Sequence, residues 1–116
     1  MSEKELSSCF IEIFRAKARE AHNTATEKGW HDGSRTLAEI LCLCHSELSE
    51  ALEAIRHGNP PDKHIPKFTG LEAELADCVI RIMDTAEHNK LRVAEAIVAK
   101  MEYNKSRPFR HGGKLL

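Results

Sequence analysis

The clearest helical pattern in the sequence lies between residues 36 and 57, which read TLAEILCLCHSELSEALEAIRH. Its apolar residues recur at intervals of three and four, which is the spacing of one face of an α-helix. Thr36 and Glu39 match the capping box that begins a helix, and Gly58 and Pro60 follow where the pattern stops. The sequence therefore predicts a long amphipathic helix over about Leu37–His57. Its predicted apolar stripe consists of Leu37, Ile40, Cys44, Leu48, Ala51 and Ile55.

Three further segments have helical spacing. We expect helices over about Leu6–Lys28, Gly70–Glu87 and Arg92–Lys105. The segment from Gly58 to Thr69 holds three of the four prolines and predicts a connecting loop. The tail from Pro108 to Leu116 is basic and has no helical period.

Length and composition favour a single all-α domain over residues 1–116 that forms a bundle of four to five helices. The 116 residues suffice for one core, and 41% hydrophobic residues exclude a disordered chain, while 5% aromatic residues argue against a β-sandwich. The formal charge of −1 offers no net attraction to nucleic acid or to an anionic membrane. The sequence also lacks a membrane-length apolar run and a signal-peptide pattern, so we expect a soluble cytoplasmic protein.

Two pairs of acidic residues stand out on the second and third predicted helices. Glu47 and Glu50 form one pair, and Glu74 and Asp77 form the other, each at i, i+3 and therefore on one helix face. If the helices pack through their apolar stripes, four carboxylates meet at one groove and require a cation. Oxygen ligands without histidine or cysteine suit Mg²⁺, with Mn²⁺ as the alternative, and Mg²⁺ bridges readily to phosphates. The competing interpretation is that both pairs merely face solvent.

Two other patterns bear on function. Lys100, Asn104 and Arg107 share one stripe of the fourth helix and are phosphate ligands by type, although cations also suit a helix C-terminus without any ligand. The third helix is too broadly apolar between Cys78 and Met83 for one stripe of a small bundle. We expect an oligomer interface there, and a central helix packed on several sides by its own chain is the alternative.

Together these elements resemble the MazG-like family of all-α nucleoside triphosphate pyrophosphohydrolases. The resemblance lies in Glu47-x-x-Glu50, Glu74-x-x-Asp77, Lys100-x-x-x-Asn104-x-x-Arg107-Pro108 and His111-Gly112-Gly113-Lys114. It implies a helical bundle completed as a homodimer or homotetramer, dependence on Mg²⁺, and cleavage of a nucleoside triphosphate to the monophosphate and pyrophosphate. The chain departs from many relatives in having His45-Ser46 before Glu47.

The resemblance also implies roles for residues. Under it, Glu47, Glu50, Glu74 and Asp77 hold metal, and Glu47 or Glu50 accepts the proton of the attacking water. The phosphates lie against Lys100, Asn104 and Arg107, and the base lies near Trp30 and His31. Such an enzyme removes surplus or modified nucleotides. Two other functions stay open, namely phosphoribosyl-ATP pyrophosphohydrolase and a non-catalytic helical module that binds nucleotide or protein.

Overall fold

A computed structural model describes the whole chain, Met1 to Leu116, and it is all-helical, as the sequence predicts. An isolated β-bridge between Pro61 and Thr69 is the only extended pairing. No helix combines the length and the apolar character that a membrane span requires. The helices are α1 (Glu3–Glu27), α2 (Leu37–Arg56), α3 (Gly70–His88), α4 (Val93–Lys105) and the four-residue α5 (Arg110–Gly113).

Capping boxes define where the three long helices begin. The predicted boxes at Thr36 and Thr69 are present, and each hydroxyl accepts a hydrogen bond from a backbone N–H three residues later. A third box begins α1, where Ser2 and Glu5 bond reciprocally at 3.1 and 3.2 Å. The helix therefore starts at Glu3 rather than at Leu6, because polar capping residues precede its first apolar residue.

Helix α3 lies at the centre of the bundle, packed against both α1 and α2, while α4 packs against α1. The main buried cluster joins Phe14, Ala18 and Ala94, with Met83 of α3 against it. Helices α2 and α3 run antiparallel and approach closely through small residues. A Cβ added at Gly70 would lie 3.0 Å from the Cβ of Ala54.

The rotation of α2 about its axis differs from the prediction. Leu48 and Ile55, which belong to the predicted buried stripe, are 48% and 53% exposed, and Leu52 beside them is 50% exposed. Glu47, predicted at the border of the stripe, is instead buried together with Ala51. Two contacts with α3 explain the difference. Ala54 and Gly70 bring the helices close together, and Arg81 of α3 bonds Glu47, so this face of α2 is buried while Leu48, Leu52 and Ile55 face outwards.

The segment between α2 and α3 is a structured loop. The backbone N–H of Leu71 donates to Oδ1 of Asn59 at 2.9 Å, and the N–H of Asp62 donates to the carbonyl of Phe68 at 2.8 Å. The carboxylate of Asp62 accepts hydrogen bonds from the backbone N–H groups of His64 and Ile65. These bonds set the register of the α2–α3 hairpin, on which both acidic pairs lie.

Candidate metal centre

The hairpin of α2 and α3 brings three of the four predicted metal ligands together. Glu47, Glu50 and Glu74 each offer a carboxylate oxygen, and these oxygens lie within 4.8 Å of one another. Asp77 follows Glu74 by three residues on α3 and is exposed at the edge of this group. We call Glu47, Glu50, Glu74 and Asp77 the acidic cluster. Like charges at this spacing repel, so a cation is needed to hold all of them ionised.

Glu74 shows most clearly the cost of placing these carboxylates together. Burial, followed by the adjoining carboxylates of Glu47 and Glu50, raises its pKa from 4.5 to about 7. Its Oε2 atom is buried and has no hydrogen-bond partner. The carboxyl of Asp77 is partly shielded from water although the residue is exposed overall, and this desolvation, followed by the charge of Glu47, raises its pKa as well. An unpartnered buried oxygen within an all-oxygen donor set fits a hard divalent cation such as Mg²⁺ or Mn²⁺.

The buried charge of Glu47 is compensated by an arginine. Its Oε1 accepts a hydrogen bond of 2.8 Å from Nε of Arg81, and its side chain is only 10% exposed. A charge-assisted bond of this length stabilises the ionised carboxylate in a buried position. Glu50, in contrast, is exposed and has no such partner. Of the two predicted proton acceptors, Glu50 is therefore the one that has no basic side chain bonded to it.

A cavity of about 670 Å³ opens beside the acidic cluster between α1, α2 and α3. Its volume is in the range of pockets that take small organic ligands. Positive side chains line it from three places, namely Lys28 at the C-cap of α1, Arg35 of the following loop and Arg81 of α3. Glu47 and Asp77 line it from the acidic side.

Trp30 and His31, predicted near the base, both line this cavity. Trp30 is 57% exposed, and the guanidinium carbon of Arg35 lies 5.6 Å from the centroid of its ring. Two contacts hold the side chain of His31. Its Nε2 lies 2.8 Å from Oδ1 of Asp84, and its ring stacks on that of His88 with 4.0 Å between the centroids. Trp30 thus keeps more than half of its surface exposed, with Arg35 over its ring, whereas the ring of His31 is held by Asp84 and His88.

The predicted phosphate ligands lie elsewhere in the protomer. Lys100, Asn104 and Arg107 belong to α4, which packs on α1, and none of them lines the cavity. Lys100 and Arg107 instead approach the ring of Tyr103, at 5.2 and 5.5 Å from its centroid. Within one chain, the acidic cluster and the basic stripe are therefore separate.

Some cavity residues escaped the sequence reasoning, although a signal for them was present. Arg81, Asp84 and His88 follow the predicted metal ligand Asp77 at i+4, i+7 and i+11 on α3, which makes a polar stripe at helical spacing. The apolar residues between them dominated the interpretation of this helix. The stripe extends from the acidic cluster along the cavity to the C-terminal end of α3.

Comparisons of the chain with protein-family models, with curated proteins and with solved structures found no match.

Proposed function

We propose that the chain is a Mg²⁺-dependent nucleoside triphosphate pyrophosphohydrolase of the MazG-like kind. The observation that carries the proposal is the convergence of Glu47, Glu50 and Glu74 beside a cavity with positive side chains and an exposed tryptophan. An anionic ligand with an aromatic ring system suits this combination. The proposed substrates are cytoplasmic ribo- or deoxyribonucleoside triphosphates, including surplus or modified ones.

The acidic cluster would hold one or more Mg²⁺ ions through Glu47, Glu50, Glu74 and Asp77, with Mn²⁺ as the alternative. When bound, such an ion neutralises phosphate oxygens and helps to orient the attacking water. Cleavage between the α- and β-phosphorus atoms is what the family resemblance implies. Glu50 accepts the proton of the water in this proposal, because Glu47 is engaged by Arg81.

In this proposal, the side chains of the cavity bind the phosphates and the base and hold the loop that contacts the base. Arg81 and Arg35 are forked donors that suit phosphate oxygens. Trp30 offers its ring to a nucleobase. Such stacking is an apolar contact that discriminates little between different bases. His31, bonded to Asp84, holds the loop that carries Trp30.

Surface area supports assembly as a homodimer or homotetramer. The protomer exposes 9093 Å², whereas a monomer of 13.1 kDa is expected to expose about 6,400 Å². Its radius of gyration is 16.7 Å, against about 13 Å for a compact chain of this length. Exposed apolar residues on α2 and α3 supply a surface for a second copy. They include Leu41, Leu48, Leu52, Ile55, Val79, Ile80 and Ile82.

A second copy also resolves the separation of the basic stripe from the acidic cluster. In the proposed assembly, Lys100, Asn104 and Arg107 of one protomer reach the phosphates bound at the acidic cluster of another. Lys100 and Arg107 have no carboxylate partner within their own chain, so they are available for such contacts.

The test measures release of pyrophosphate and nucleoside monophosphate from a panel of ribo- and deoxyribonucleoside triphosphates and phosphoribosyl-ATP. We expect pyrophosphate release with Mg²⁺, none with chelator, and a loss of about 100-fold or more in kcat for Glu50→Gln. Glu53→Gln is the matched control, because Glu53 lies one turn further along α2 and bonds only to its neighbours Arg56 and His57.

Three results would contradict the proposal. Release of orthophosphate alone would mean that another bond is cleaved. Binding of nucleotide without turnover would favour the non-catalytic module. A clear preference for phosphoribosyl-ATP would assign the chain to the other pyrophosphohydrolase.

A further inference from the structure

A second group of potential metal ligands lies at the opposite end of the cavity from the acidic cluster. It consists of His22 on α1, His31 in the loop after α1, and His88 at the end of α3. One ring nitrogen from each lies within 4.8 Å of the others. The three rings are in mutual contact, with centroids 4.8, 5.3 and 4.0 Å apart.

A carboxylate completes this group. Oδ1 of Asp84 lies 3.0 Å from Nδ1 of His22 and 2.8 Å from Nε2 of His31, and Oδ2 lies 3.1 Å from the same atom of His31. Asp84 is 19% exposed and His31 13% exposed, so the contacts are largely shielded from water. No lysine or arginine pairs with Asp84.

The chemistry of these donors differs from that of the acidic cluster. Three imidazoles with one carboxylate are typical of Zn²⁺ sites, which are tetrahedral and take nitrogen ligands at about 2.0–2.1 Å. Mg²⁺ prefers an octahedron of oxygens and does not suit them. The nitrogens already lie within 4.8 Å of one another, and rotation of the stacked rings of His31 and His88 about their side-chain bonds would bring them to the spacing of one coordination sphere.

We propose that His22, His31, His88 and Asp84 form a Zn²⁺ site that is separate from the acidic cluster. Glu74 and Asp84 are ten residues apart on α3, which corresponds to about 15 Å along the helix axis. The ligands come from α1, from the loop that carries Trp30 and from α3. Zinc at this position fastens the loop to the bundle and fixes Trp30 at the cavity, whatever reaction the acidic cluster performs.

The test titrates Zn²⁺ into the full-length protein by calorimetry, with excess Mg²⁺ present to occupy the acidic cluster. We expect a single zinc ion per chain and, with Co²⁺ as a probe, the visible absorption of tetrahedral coordination. Asp84→Asn should weaken zinc binding about 10–100-fold, and His22→Ala and His88→Ala at least as strongly. At the same zinc concentration, zinc should also raise the Tm of the wild type by more than that of these variants.

Two matched controls separate this site from other zinc ligands. His64→Ala removes an exposed histidine outside the group, and Cys42→Ser removes the exposed thiol near Cys44 and His45. Both variants should bind zinc as the wild type does. His88 is exposed, so His88→Ala is expected to keep its fold, which circular dichroism checks.

The proposal is overturned if the folded wild type binds no zinc under these conditions. It is equally overturned if His22→Ala and His88→Ala bind zinc unchanged, or if Cys42→Ser abolishes binding. None of these readouts depends on hydrolysis, so they separate failure of the zinc site from failure of the proposed enzyme activity.

Discussion

Glu47 and Glu74 bring the same side chain into one cluster, but their surroundings differ. Glu47 receives a hydrogen bond of 2.8 Å from Arg81, which offsets the cost of burying its charge. Glu74 has a buried oxygen without a partner and a pKa raised to about 7. The unpartnered carboxyl of Glu74 thus lowers the free energy of unfolding, and such a cost is typical of residues held in place for a ligand.

We expect Glu74→Gln to change how stability depends on pH. Because folding raises the pKa of Glu74 from 4.5 to about 7, its carboxyl stabilises the fold most below pH 4.5, and this contribution is lost as the pH rises through about 7. Near about pH 8, the metal-free variant should exceed the wild type by about 1–2 kcal/mol, less than the full shift because solvent screens the group. Urea unfolding with chelator at about pH 5 and about pH 8 measures this difference.

Glu53→Gln serves as the control, since Glu53 is an exposed carboxylate on α2 outside the cluster. It should leave the difference in stability between the two pH values as in the wild type. If Glu74→Gln behaves like Glu53→Gln, the environment assigned to Glu74 is wrong. Addition of Mg²⁺ should reverse the order at the higher pH, because the wild type then gains a ligand that the variant binds poorly.

At the scale of the helices, the close approach of α2 and α3 determines the spacing of the acidic cluster. Gly70 begins α3, and its N–H donates to the carbonyl of Pro60 at 2.8 Å. A Cβ at this position meets the Cβ of Ala54 at 3.0 Å and the carbonyl oxygen of Pro60 at 3.5 Å. The contact with Pro60 is an ordinary one, but the contact with Ala54 is tight and its Cβ is fixed to the backbone, so α2 must shift by a few tenths of an ångström.

Gly70→Ala is therefore expected to destabilise the protein by about 1–3 kcal/mol and to weaken Mg²⁺ binding, since the helices that carry Glu47 and Glu74 are pushed apart. Gly33→Ala is the matched control, because a Cβ at Gly33 meets nothing within 4 Å. Thermal unfolding and calorimetric titration with Mg²⁺ measure both effects. Equal behaviour of the two variants would show that the α2–α3 contact tolerates a methyl group.

The helices themselves could be predicted because their signals are local. Thr36 and Thr69 mark the starts of α2 and α3 through residues only three positions away, and both boundaries are correct. The rotation of α2 could not be read in the same way. Spacing assigns the large apolar side chains Leu48 and Ile55 to the buried face, although helical spacing alone does not distinguish a face packed within the chain from one that stays exposed on the protomer.

In the site, too, features set by nearby residues could be predicted, whereas contacts between distant segments could not. Spacing at i, i+3 was enough to place Glu47 with Glu50 and Glu74 with Asp77, and three of these carboxylates do converge. The pairing of Arg81 with Glu47 depends on the register of two helices. The histidine group depends on three elements, with His22 and Asp84 separated by 62 residues. Such contacts leave no periodic signal in one segment.

At the scale of the whole molecule, the exposed area and the position of α4 point to a site shared between protomers. An isolated protomer exposes 9093 Å² and keeps Arg107 away from the acidic cluster. In the symmetric dimer proposed above, each protomer would give its basic stripe to the acidic cluster of the other, so that every site would contain residues of both chains. This arrangement predicts a result that a site within one chain cannot produce.

Glu50→Gln and Arg107→Ala should each be inactive alone and should restore activity when mixed and allowed to exchange protomers. Random exchange of equal amounts makes half of the dimers mixed, and each mixed dimer has one intact site, so about one quarter of the wild-type activity returns. If each chain forms its own site, mixing restores nothing, because every site keeps one defect. Mixing Glu50→Gln with Glu74→Gln is the control, since both changes affect the acidic cluster and no mixed dimer then has an intact site. Co-purification of one variant with an affinity-tagged copy of the other verifies that protomers have exchanged, so that a failure of complementation counts against the shared site rather than against exchange.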